Sequence, residues 1–133
     1  MKFIARRFFV LLIMLYCSVV AGSAQPAAAD GIGRAIRSGN AGDIVRLSGN
    51  TLDITINNSQ ATYSRTQGEL VLRDFFSRNA VKDYVIEHTG TSAASNSMFT
   101  IGTLSTASGK YRVYVLLRQR EGGYSLTELR LQK

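Results

Sequence analysis

Ser64-Arg65-Thr66-Gln67-Gly68-Glu69-Leu70-Val71-Leu72-Arg73-Asp74-Phe75-Phe76-Ser77-Arg78 is the stretch on which the fold turns. Ser64 and Gln67 have the spacing of a capping box, in which the hydroxyl accepts a first-turn N–H and the amide side chain reaches back. Val71, Leu72, Phe75 and Phe76 follow at helical spacing and form one broad apolar face. Arg73, Asp74 and Arg78 fall on the wet side, and Asn79 is a natural stop. The pattern predicts one main helix with a greasy side that needs a second layer to cover it.

That layer is readable downstream. Val81 to His88 reads as a strand, followed by a polar loop from Thr89 to Ser97 and a second strand from Met98 to Leu104. Ala107-Ser108-Gly109 turns the chain. Tyr111, Val113, Val115 and Leu117 then alternate with Arg112, Tyr114, Leu116 and Arg118. Glu121-Gly122-Gly123 marks a hairpin, and Tyr124 to Gln132 closes the domain. The last strand has a phase problem: Leu129 and Leu131 share a parity that Leu126 lacks. A short connection centred on Gly123 sets Leu117 opposite Leu129, Val115 opposite Leu131 and Arg118 opposite Glu128. Leu126 then sits on the polar face unless a bulge turns it inward.

Upstream, Asp30 can cap a short helix facing inward with Ile32, Ala35 and Ile36. Gly39-Asn40 ends it, and Asp43 opens a second short helical turn carrying Ile44, Val45 and Leu47. Ser48-Gly49-Asn50 reads as a loop. Thr51 to Ile56 alternates, with Leu52, Ile54 and Ile56 on one side, and Asn57-Asn58-Ser59 reads as a turn. The expected architecture is α+β: a curved antiparallel sheet of about five strands wrapped on one main helix plus short N-terminal helices.

The first residues read as a secretion leader. Lys2, Arg6 and Arg7 precede an apolar run from Phe8 to about Val20, and Ala21-Gly22-Ser23-Ala24 supplies a small-residue cleavage site. The run is shorter than the roughly 20 residues of a membrane span, so no stable span is expected after cleavage. The expected division is a signal peptide over residues 1–24, a spacer over 25–29 and one domain over 30–133. About 109 residues then remain, enough for one domain and too few for two. Cys17, the single cysteine, lies in the leader and follows Tyr16 rather than a small residue, which argues against a lipoprotein. The mature domain would lack disulfides and thiol chemistry. The leader also carries three basic residues of a chain whose net charge is +7. With a periplasmic or secreted destination, that leaves little case for a nucleic-acid partner.

Three stretches carry a resemblance: Ile36-Arg37-Ser38-Gly39-Asn40-Ala41, Thr62-Tyr63-Ser64 leading into Val71-Leu72-Arg73-Asp74-Phe75-Phe76, and Tyr124-Ser125-Leu126-Thr127-Glu128-Leu129-Arg130-Leu131. With their element order, the chain resembles a family of exported Bacteroidetes proteins of unknown function. The fold this implies is the nuclear transport factor two-like cone, also called cystatin-like. These stretches specify a scaffold and no reaction. Cone-shaped relatives include ketosteroid isomerases, whose pockets use a carboxylate base with tyrosine and neutral carboxylic acid donors. Tyr63, Tyr84, Tyr111, Tyr114 and Tyr124 are donors to weigh against that pattern, with Asp53 and Asp83 as acids, but no isomerase motif matches residue by residue.

Chemistry-bearing residues are sparse. His88 is the only histidine, and simple alternation puts Tyr84 and Ile86 on its face, with Asp83 and Glu87 opposite. Asp53 alternates with Leu52, Ile54 and Ile56 and so faces water. One histidine and scattered carboxylates make no ordinary metal site, and no cofactor motif is present. Arg112, Tyr114, Leu116 and Arg118, with Arg120 beyond them, form the surface best suited to a partner protein or a second copy. The expected function is therefore a non-enzymatic exported binding or assembly module acting through the sheet face. The alternative is a small-ligand binder, or an isomerase-like enzyme, with a pocket in the cone near Tyr84 and His88. Phe75, Phe76, Tyr111 and Phe99 filling the cone would count against that alternative.

Overall fold

The computed structural model describes residues 27–133. The spans are α1 (Ala27–Ser38), α2 (Ala41–Arg46), β1 (Ser48–Ile56), β2 (Ser59–Ser64), α3 (Arg65–Arg78), β3 (Val81–Ser92), β4 (Ser97–Thr106), β5 (Gly109–Arg120) and β6 (Gly123–Gln132). The six strands form one curved, open sheet in the order β2-β1-β6-β5-β4-β3. The helices lie on its concave face. The leader expectation concerns residues outside those described, and no described helix is long and apolar enough to cross a membrane.

The deciding stretch folds as read. Ser64 is the N-cap of α3, and its hydroxyl accepts the Gln67 N–H at 3.2 Å. Leu72 and Phe75 are buried, while Val71 and Phe76 are half-buried against the core. Asn79 ends the helix with its backbone N–H and its Nδ2 both on the Phe75 carbonyl at 2.9 Å. Phe75 meets Tyr111 and Phe76 edge to face, at centroid distances of 5.1 and 5.4 Å. Opposite them, Val113, Val115, Leu117, Leu126, Leu129 and Leu131 bury the concave face of β5 and β6.

α1 completes the cover with Ala29, Ile32, Ala35 and Ile36. Gly33 lets it approach closely, since a Cβ there would stand 3.2 Å from the Ile86 Cδ1. Arg37 fastens α1 to β3 by donating from Nε and Nη2 to the Tyr84 carbonyl, at 3.2 and 2.9 Å. Gly39 has φ 65, the left-handed turn that separates α1 from α2. Asn40 then caps α2 by accepting the Asp43 N–H.

Several boundaries differ from expectation. α1 begins at Ala27, so Ala27–Ala29 are helix rather than spacer, and Asp30 sits in the first turn instead of capping it. Ser48-Gly49-Asn50 is strand rather than loop, because β1 starts early beside β6. β3 runs on to Ser92, so only residues 93–96 connect it to β4, and most of the expected polar loop is a long hairpin. β2 is a sixth strand that alternation did not show, since its side chains are mostly exposed and lack an apolar face. The sheet is antiparallel except where β1 and β6 run parallel, which the order of elements alone did not indicate.

The register of the last hairpin is also corrected. Val115 faces Leu129 and Val113 faces Leu131, two residues from the expected pairing of Leu117 with Leu129 and Val115 with Leu131. A bulge at Thr127 separates the Leu116–Glu128 pair from the Leu117–Leu126 pair. It turns Leu126 into the core, which resolves the parity conflict. Arg118 faces Ser125 as a result, not Glu128. The two-residue offset preserves parity, so every face assignment in β5 stands.

Burial ranks the α3 side chains. Leu72→Ala should cost about 2–5 kcal/mol and Phe75→Ala about 3–5 kcal/mol. Phe76→Ala should cost less than Phe75→Ala because that ring keeps one side in water. Urea unfolding midpoints of the three variants provide the check; equal losses at Phe75 and Phe76 would contradict this packing.

Candidate functional site

Among the described residues no element covers the convex sheet face, and parity sends a distinct set of side chains there. On β4, Met98, Thr100, Gly102 and Leu104 point into the core, which places Phe99 and Ile101 outside. Phe99 therefore does not help to fill the cone. Its ring lies over Gly90 of β3, where any Cβ would collide with it. It stacks on Tyr114 at 6.1 Å with an interplanar angle of 20°. The Arg130 guanidinium lies 5.4 Å from the Tyr114 centroid and pairs with Glu128. Tyr114 thus has a ring on one strand beside it and a cation on the other, a platform spanning three strands.

The expected partner residues lie along this platform. Arg112, Tyr114, Leu116 and Arg118 all occupy the convex side of β5; the two arginines are exposed and the other two half-buried. Leu116 and Arg118 meet Arg120, Asp53, Thr127 and Glu128 around a depression of about 230 Å³. Arg112 and Tyr114 continue the surface beyond it. Asp53 faces outward as expected, and its carboxylate accepts the Thr62 hydroxyl at 2.6 Å. Among the described residues, Arg112, Arg118 and Arg120 have no carboxylate within ion-pair distance. Reasoning on β5 alone missed Phe99, Glu128 and Arg130. Phe99 was within reach, since Leu104 fixes the inward parity of β4.

Tyr84 and His88 lie on opposite faces of the sheet. Tyr84 faces Leu104 and is buried, but the extra residue Glu87 in β3 shifts the pairing so that His88 faces Ile101 on the convex side. The bulge reverses the shared face that alternation predicted. His88 is exposed there, and Glu87 is engaged by the Thr103 hydroxyl at 2.6 Å. Asp83 is occupied by the Tyr84 N–H at 2.8 Å. Among the described residues no cluster of three histidine, cysteine or acidic side chains could hold a metal.

The Tyr84 hydroxyl is buried inside the cone. Burial raises its pKa above the usual 10.0, and nearby Thr100 and the Arg37 charge pull it partly back. Among the described residues neither the Tyr84 nor the Thr100 hydroxyl has a partner with hydrogen-bond geometry. Gly102 makes room for the ring: a Cβ there would meet the Val85 carbonyl and press on Tyr84 Cε2 at 3.1 Å. Phe75 and Tyr111 fill the opposite end, where the Tyr111 hydroxyl donates to Asn79 Oδ1 at 3.2 Å. What remains is an open cleft of about 440 Å³ outside them, between α3 and the ends of β1 and β5. Ile56, Leu70, Val71, Phe75 and Tyr111 supply its apolar lining, with Asp74 and Arg78 also beside it. Neither Tyr84 nor His88 reaches it.

A family model described as Domain of unknown function (DUF4783) matches residues 29–132. The chain belongs to this family. Crystal structures of DUF4783 proteins share its fold. One from Bacteroides fragilis is 31% identical, covers 77% of this chain and 95% of its own, and superposes with a TM-score of 0.72. One from Bacteroides uniformis is 28% identical, with coverages of 78% and 94% and a TM-score of 0.73. A cystatin-like domain of unknown function from Nostoc punctiforme, at 10% identity, covers 86% of this chain and 78% of its own, with a TM-score of 0.62, and supports the fold alone. A search of curated proteins finds no match. The sequence resemblance to a Bacteroidetes family with a cone-shaped fold is thereby met, and DUF4783 itself carries no assigned reaction.

The unpartnered phenol in this DUF4783 domain gives a pH expectation. The fold favours neutral Tyr84, so that contribution is complete below about pH 10 and is lost as pH rises through the raised folded value. Tyr84→Phe removes a hydroxyl with no well-formed hydrogen bond among the described residues, so stability at neutral pH should change by about 1 kcal/mol or less. The variant should also lose less stability than the parent between pH 8 and about pH 11. Urea midpoints at both pH values test this, and a loss of several kcal/mol at neutral pH would show that the hydroxyl is bonded.

Proposed function

We propose that this DUF4783 domain is a non-enzymatic, exported binding module whose convex sheet face takes a partner protein with an acidic, partly apolar surface. One observation carries the reading: the Phe99–Tyr114–Arg130 platform is flanked along β5 by Arg112 and Arg118, with Arg120 further on, and among the described residues these three arginines have no carboxylate within ion-pair distance. Aromatic and arginine side chains are the residue types that most often anchor interfaces. Half-buried Leu116 and Ile101 extend the apolar centre, and the arginines offer forks to carboxylates. The Ser97-to-Arg118 and Thr103-to-Arg112 pairings fix the backbone positions from which these side chains project.

Export rests on the N-terminal pattern, with Lys2, Arg6 and Arg7 before an apolar run and Ala24 at the cleavage site. A structural neighbour from Xanthomonas campestris is described as a putative calcium/calmodulin dependent protein kinase II association domain, at 18% identity and a TM-score of 0.58. That neighbour's description is in keeping with an assembly role for this fold. The domain interior is taken up by Phe75, Tyr111 and Tyr84, which leaves a ligand or reaction site in the cone without support.

The test is capture from the native cell envelope by residues 25–133. The parent should retain a protein that Tyr114→Glu and Leu116→Glu lose, while circular dichroism and urea midpoints stay close to the parent. Capture should weaken about tenfold or more when Arg112 and Arg118 are both changed to Ala. Equal capture by parent and Tyr114→Glu would refute the sheet-face reading.

A further inference from the structure

The two edges of the sheet are built differently. β3, at one edge, carries two register breaks, between Val81 and Asp83 and between Ile86 and His88. It also displays Lys82, Asp83, Glu87 and His88. Bulges and charges of this kind keep an edge from pairing with another chain. β2, at the other edge, has neither device. Ser59-Gln60-Ala61-Thr62-Tyr63-Ser64 contains no charge and no proline, and its pairing with β1 runs without a break. Among the described residues β2 pairs only with β1.

Hairpin geometry gives the direction of each backbone group. Only Asn57 and Asn58 separate the paired residues Ile56 and Ser59, so this pair closes a two-residue hairpin and is hydrogen-bonded. Ser59, Ala61 and Tyr63 consequently direct their N–H and C=O groups to β1. Gln60 and Thr62 direct theirs away from the sheet. Flanking charges are turned elsewhere: Arg65 donates to the Ser48 and Gly49 carbonyls, and Asp53 holds the Thr62 hydroxyl.

We propose that β2 is a self-association edge, at which two copies of the chain pair β2 against β2, antiparallel, about a two-fold axis at Ala61. In this register Gln60 faces Thr62 of the second copy, and the reverse, which forms about four backbone hydrogen bonds. Ala61 faces its own copy at the close, non-hydrogen-bonded position, where a small side chain suits a Cα separation of about 4.5 Å. Ser59 faces Tyr63. No charged side chain on the strand opposes a like charge, which a lysine- or arginine-bearing edge would force. The operation closes, because the blunted β3 edge gives a third copy nowhere to pair. A six-residue edge falls short of the roughly 1,200 Å² of a standard interface, so the dimer is weak and concentration-dependent. This edge is separate from the convex face assigned to a partner.

The experiment uses residues 25–133, which hold every described element and no cysteine. Ala61→Cys should form a disulfide-linked dimer with oxidised glutathione, since the expected Cα separation of about 4.5 Å lies within disulfide range. Gln60→Pro removes an outward N–H and leaves the β1 pairing intact. Light scattering should show its dimer weakened about tenfold or more, with an unchanged circular dichroism spectrum. Tyr114→Glu should dimerise like the parent. A thiol at position 61 that stays reduced, a parent that remains monomeric at high concentration, or a dimer lost in Tyr114→Glu but kept in Gln60→Pro would each overturn the proposal. A monomer that pairs only with a foreign extended peptide would overturn it as well.

Discussion

Burial of Leu72 and Phe75 of α3 in the shared core, where Phe75 meets Tyr111 of β5, is the contact on which the rest of the structure depends. A sheet with one apolar face has to hide it, and here the apolar faces of α1, α2 and α3 hide it together. Phe75 links the two layers by meeting Tyr111 edge-on. Asn79 finishes the same joint, since it ends the helix on the Phe75 carbonyl and accepts the Tyr111 hydroxyl. One side chain therefore stops the helix and satisfies a phenol that burial would otherwise leave unpaired. No disulfide assists among the described residues, so this packing and the sheet ladder supply the stability.

Bulges decide how the sheet meets those helices. The extra residue at Thr127 returns Leu126 to the core, and its hydroxyl donates to the Leu116 carbonyl at 3.2 Å across the irregularity. The one at Glu87 separates Tyr84 from His88, placing one inside the cone and the other in water. Each bulge bends its strand and adds local twist, which lets an open sheet curve around a helix. The same devices therefore shape the cone and dictate which polar groups can meet.

The two sides differ in how they treat aromatic rings. Inside, Tyr84 lies against Gly102 with an unmet hydroxyl, so its main contribution is volume. Outside, Phe99 lies against Gly90 and braces Tyr114, so two rings are held flat on a surface open to solvent. Both arrangements use a glycine in the neighbouring strand to admit the ring, yet one closes a core and the other builds a platform.

Much of the scaffold followed from local pattern. The Ser64 cap, the Leu72–Phe75 face, the alternation of β5 and the glycine turns are set by spacing and backbone preference over a few residues. So was the convex position of Arg112, Tyr114, Leu116 and Arg118, because parity survives a two-residue change of register. What only the tertiary structure decided depends on distant neighbours. β2 has no apolar alternation and exists because β1 offers it a partner. The parallel β1–β6 pair joins segments far apart in the chain. The faces of Leu126 and His88 depend on single extra residues, and one inserted residue reverses every side chain beyond it. The Phe99–Tyr114–Arg130 platform spans three strands, so its members come together only once the long-range register is set.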